Sequence, residues 1–110
     1  MSDDLGLQYV MVFVTIGSQK EAIVLSKHLV EQQLAACVSL FPVTSVYAWQ
    51  GKIEQEQEWQ LVIKTQQHQF TNLEATVCQY HMYQVPEIIA VPIIAGSQPY
   101  LNWISTQMSS

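Results

Sequence analysis

Two stretches of the chain are apolar without alternation, Tyr9 to Thr15 (YVMVFVT) and Glu87 to Ile94 (EIIAVPII). Runs of β-branched and aromatic residues with no polar alternation fit strands covered on both faces, which predicts two neighbouring strands in the middle of a sheet. Pro86 suits the first residue of the later strand, where no ladder N–H is needed, and Pro92 suits a bulge or an unpaired edge. Between these strands the hydrophobic period changes. After Gly17, Ser18-Gln19-Lys20-Glu21 matches a capping box, which starts a helix. At helical spacing Ala22, Ile23, Leu25, Leu29, Val30 and Leu34 share one half of the cylinder. Lys20, Glu21, Lys27, His28, Glu31 and Gln32 take the other half, which makes His28 a surface residue.

Ala35 to Gln50 has strand composition throughout, interrupted by Pro42, where a bulge or bend is expected. A turn at Gly51 leads to a further strand, clearest over Trp59 to Thr65, and the two make a long antiparallel hairpin. Phe70, Leu73, Val77 and Tyr80 then mark one face of a second helix over Gln67 to Tyr80. After the Glu87 strand, Gly96-Ser97-Gln98-Pro99 supplies a stop, a cap and a first-turn proline for a short helix burying Tyr100, Leu101, Ile104 and Met108. The order is β-α-β-β-α-β plus a terminal helix. This is an α+β fold, the ferredoxin-like sandwich of four antiparallel strands with helices on one face, and residues 1–110 make a single domain.

One copy of this fold is incomplete. A helix of about 16 residues spans roughly 24 Å, whereas a strand of about 15 residues spans roughly 50 Å. The hairpin must therefore overshoot the helices. The overhang carries Val46, Tyr47, Trp49 and Ile53, apolar bulk that predicts association with further copies of the chain.

Composition narrows the partners. The formal charge is -5 and the four basic residues are Lys20, Lys27, Lys52 and Lys64, with no arginine fork for phosphate or guanine, so nucleic acid is not an expected partner. No apolar run approaches the length of a membrane span, and Met1-Ser2-Asp3-Asp4 is acidic where a secretory signal would be positive, so no membrane partner and a cytoplasmic location are expected. Cys37 and Cys78 lack zinc spacing and are expected as reduced core thiols. No nucleophile set, phosphate loop or metal-hydrolase motif is present, so no catalytic residues are assigned and the chain is not expected to be an enzyme. The residues that do carry candidate chemistry are His81 and Glu87, an imidazole and a carboxylate flanking a stiff, proline-bounded turn.

The segments Glu31 to Leu40 (EQQLAACVSL), Thr44 to Lys52 (TSVYAWQGK) and His81 to Ile93 (HMYQVPEIIAVPI), with the ending Tyr100-Leu101-Asn102-Trp103, resemble the CutA family, named for divalent-cation tolerance. The likeness runs from about Val10 to Trp103. It implies a ferredoxin-like subunit in a tight homotrimer like PII-type signalling proteins, with the long hairpins bridging subunits. It also implies a part in the response to divalent metal ions, by weak binding of copper(II) or another divalent cation; the alternative is PII-like small-ligand signalling or a trimeric scaffold without catalysis. A copper(II) site is described for family members. A cysteine often found in the first strand falls on Val14 here, and the first residue of a paired histidine falls on Tyr80. His81 and Glu87 remain as the metal ligands, and no cofactor is required.

Overall fold

In the computed structural model, residues 8–81 and 85–108 are described. The chain forms β1 (Tyr9–Ile16), α1 (Gln19–Glu31), β2 (Cys37–Trp49), β3 (Lys52–Gln66), a single 3-10 turn (Gln67–Gln69) running into α2 (Phe70–Tyr80), β4 (Ile88–Pro92) and α3 (Gln98–Met108). The four strands make one antiparallel sheet in the order β2-β3-β1-β4. The fold class expected from the sequence is the one observed.

Its strand order corrects one expectation. The last strand does neighbour β1, but it lies at the sheet edge, and the second central place belongs to β3. Nor is β4 covered on both faces: Ile89 is 53% exposed. An unbroken apolar run means two covered faces only when helices flank the sheet on both sides. Here the main core joins α1 and α2 to one face, through Val10, Val12, Val14, Leu61 and Ile63, and on the other face of β4 Val91 is half-buried and Ile89 is exposed among the described residues.

The elements begin and end where local chemistry dictates. Ser18 caps α1, its Oγ accepting the Glu21 N–H at 3.2 Å. Replacing Ser18 with Ala should cost about 1 kcal/mol, read as a lowered urea midpoint with an unchanged slope. The helix stops at Glu31, earlier than the periodicity suggested, because Gln33 takes a left-handed φ of 57°. Leu34 still reaches the core from beyond the helix, whereas Ile23 and Val30 of the expected apolar half are exposed.

Pro42 introduces no bulge. Pairing between β2 and β3 runs one to one through Pro42 and Trp59, and an edge strand tolerates a missing donor. Gln50 and Gly51 both have positive φ, 51° and 80°, between the paired Trp49 and Lys52. That is the two-residue hairpin turn whose twist matches the strands. In α3, Ile104 and Met108 are buried and Leu101 partly so, but Tyr100 is exposed and stacks on Trp103 at 5.6 Å. The cysteines are free but are not core thiols: Cys37 is half-buried beside Lys64, and Cys78 is exposed on α2. His28 is half-buried too, its ring 5.1 Å from Tyr80.

Candidate functional site

Strand alternation divides the hairpin overhang into two faces, since successive side chains point opposite ways. Tyr47 pairs with Glu54 and Ser45 with Glu56, which places Ser45, Tyr47, Trp49, Glu54, Glu56 and Glu58 on one side. Val46 and Ile53 belong to the other. The four apolar residues of the overhang are thus two separate pairs, not one patch.

The Tyr47 face borders a groove of about 690 Å³ that runs to Thr15 at the end of β1 and to Val85 and Glu87 before β4. Tyr47 donates its phenol to Glu56 at 2.6 Å. That bond, then partial loss of water, then the charges of Glu56, Glu58 and Glu54 push the Tyr47 pKa up to about 12, so its hydroxyl stays protonated through the neutral range. Glu58 is buried at 5% exposure and Thr15 at 6%, while Glu87 is exposed.

His81 caps the C-terminus of α2, its N–H bonding the Val77 carbonyl. Its ring Nε2 meets the Thr15 carbonyl at 2.5 Å. A carbonyl oxygen only accepts, so Nε2 must carry the proton, and in the neutral ring the lone pair resides on Nδ1. The two residues singled out in the sequence are related through Thr15. His81 holds the backbone of Thr15, and Glu87 shares the groove with it. Met82 and Tyr83, the rest of the His81 motif, and the Asp3-Asp4 end lie outside the described residues.

The other two family ligand positions do not join this site. Val14 is fully buried in the helix-covered core, on the opposite face of β1 from Thr15. Tyr80 packs its ring against His28, tilted at 38°. Among the described residues, no three His, Cys, Asp or Glu side chains converge well enough to hold one ion. These described donors do not make a tight copper centre.

Alternation along the strands could have revealed the groove, because Tyr47, Trp49, Glu54, Glu56 and Glu58 have matching parity once the turn is fixed at Gln50-Gly51. Thr15 carries no such signal. Its place follows from where β1 ends against the hairpin.

The fold and groove define an antiparallel α+β sandwich with a projecting hairpin, and comparison with known proteins assigns that class to one lineage. The family profile of the CutA1 divalent ion tolerance protein matches residues 10–107, and the chain belongs to that family. The divalent-cation tolerance protein CutA of Thermus thermophilus is 44% identical over 95 residues, covering 86% of this chain and 92% of that protein. Human protein CutA is also 44% identical, over 93 residues, covering 84% of this chain and 52% of its own length. The chain thus spans about half the length of the human relative and of the mouse one, also covered at 52%. Among solved structures, the Archaeoglobus fulgidus protein, described as a periplasmic divalent cation tolerance protein, superposes with a TM-score of 0.90 at 36% identity, covering 92% of this chain and 99% of that one. CutA from Xylella fastidiosa superposes equally well, at 0.90 and 40% identity, covering 93% and 99%. No described helix is long and apolar enough to cross a membrane.

Proposed function

We propose that this protein acts in the cytoplasm as a PII-like homotrimer in divalent-cation tolerance, holding a cation such as copper(II) weakly beside His81 and Glu87, without catalysis. The observation that carries the cation reading is the Thr15 contact. It ties the ring of His81 to Thr15, a residue that lines the groove together with Glu87 and the hairpin glutamates. Family membership supports the tolerance role. The trimer reading rests on the overhang, where Val46 and Ile53 are 65% and 75% exposed.

Titration calorimetry with copper(II) tests the site. His81→Ala should weaken binding about tenfold or more, and Glu87→Gln less, because a carboxylate is the poorer copper ligand. Acidification that protonates the imidazole should release the ion. An affinity and pH dependence unchanged in His81→Ala would place the cation elsewhere.

A further inference from the structure

Cys37 opens β2, and Lys64, near the end of β3, is its direct cross-strand partner. Such partners share a face and hold their Cβ atoms about 4.5–5.5 Å apart. That face is turned away from α1 and α2, since the adjoining pair Val38 and Ile63 packs on the main core. The Lys64 Nζ lies 4.0 Å from the Cys37 Sγ and 3.2 Å from the Ser39 Oγ. Cys37 and Lys64 are both half-buried, and among the described residues no carboxylate pairs with this ammonium. Tyr100 of α3 closes a third side: partial loss of water first, then the nearby Cys37 sulfur, push its pKa up, so the phenol stays protonated at neutral pH. A thiol and a primary amine are thus held together at the base of the hairpin, at the opposite end from Val46 and Ile53.

Oxidation gives this pair a reaction. A thiol meeting peroxide passes first to a sulfenic acid, which condenses with a second thiol or with a nitrogen. The chain's other thiol is out of reach, because Cys78 is exposed on α2, across the sheet from Cys37. The amine is at hand. We propose that Cys37 and Lys64 are a modification site, where hydrogen peroxide drives formation of a thiol-reversible sulfenamide cross-link between the two side chains. In the first step the Cys37 sulfur attacks one peroxide oxygen: an S–O bond forms, the O–O bond breaks, and the departing hydroxide takes up the thiol proton and leaves as water. In the second, Lys64 sheds one proton to solvent and its nitrogen lone pair attacks the sulfur: an S–N bond forms, the S–O bond breaks, and hydroxide leaves as water with a further amine proton. The sulfur loses two electrons, the peroxide gains them, and the bridged chain is lighter by two hydrogens. Strands that fix both groups make the second step unimolecular, which lets it outrun further oxidation of the sulfur. The bond staples edge strand β2 to central strand β3 until a thiol reduces it. It needs no metal ion and does not rest on the cation reading.

Treating the full chain with a few equivalents of hydrogen peroxide at neutral pH, with a chelator and no added thiol, and then digesting it with chymotrypsin for mass spectrometry tests this. A peptide pair joining Cys37 to Lys64, two hydrogens lighter than its parts, is expected, and dithiothreitol should separate it. Lys64→Arg keeps the positive charge, but a guanidinium stays protonated and does not attack. In that variant the joined pair should vanish and sulfinic acid at Cys37 should rise about threefold or more. Cys78→Ser should leave the yield of the pair within about twofold of the parent. The inference is overturned if peroxide gives no joined pair, whether because Cys37 is unreactive or because other copies of the chain cover it. It is overturned equally if Cys37 becomes joined to another residue as readily in Lys64→Arg, or if Cys78 joins lysines to a similar extent. The parent chain alone decides the first of these, and circular dichroism confirms that each variant is folded. His81→Ala should form the cross-link as the parent does, so failure of the cation reading and failure of this one are separately visible.

Discussion

Glutamate at both Val46 and Ile53 should leave the protein folded but sedimenting as a monomer at micromolar concentration, where the parent chain is expected to sediment as a trimer. These side chains share one face of the overhang, far from the helices, at 65% and 75% exposure. Full burial of such a residue contributes about 1.5–3 kcal/mol, and desolvating an unpaired carboxylate in its place costs several kcal/mol more. Two such changes repeated at each subunit contact exceed what an interface of moderate size can absorb. The core should not notice, because neither side chain belongs to it, and the far-UV spectrum should be that of the parent. A matched change at exposed Gln19, on α1, should leave assembly intact. Parent-like sedimentation of the double variant would remove the hairpin from the interface.

The sequence made the element order legible because each element has a local cause: β-branched runs for the strands, the Ser18 cap and apolar period for α1, Gly51 for the hairpin turn. Burial was less legible, since it depends on what lies across from an element. The apolar runs at Tyr9 and Glu87 look alike on paper, yet β1 is central, with Val12 and Val14 fully buried, whereas β4 is an edge strand. Tyr100 and Cys78 were expected inside for the same reason, and both are exposed in the single chain. At the site, His81 and Glu87 stood out as chemistry-bearing residues close in sequence. His81 bonds the backbone of Thr15, remote in sequence, and Thr15 lines the groove that Glu87 also borders; no periodicity announces a contact of that kind. The hairpin overhang was visible as a length mismatch, but its division into an acidic aromatic face and an aliphatic face needed the register across Tyr47 and Glu54.

Leu61→Ala should be among the most destabilising single changes in the chain, by about 2–5 kcal/mol. Leu61 lies on β3, a central strand, between Val14 of β1 and Leu40 of β2, with no solvent exposure. Shortening it removes several buried methyl and methylene groups and leaves a cavity between sheet and helices that rigid neighbours on both flanks cannot close. Against a domain stability of about 5–15 kcal/mol, a loss of that size brings the folded state near its limit. Urea unfolding at one fixed protomer concentration should show the midpoint falling steeply, the fixed concentration being required because assembly adds to the apparent stability. Ile53→Ala is the opposite case. Its side chain is 75% exposed and outside the core, so the loss within the subunit should be under about 0.5 kcal/mol. Any larger effect should grow with protomer concentration, because it would come from the contact between copies. Equal, concentration-independent losses at Leu61 and Ile53 would mean that the hairpin tip packs inside its own subunit, and the assembly argument would fail with it.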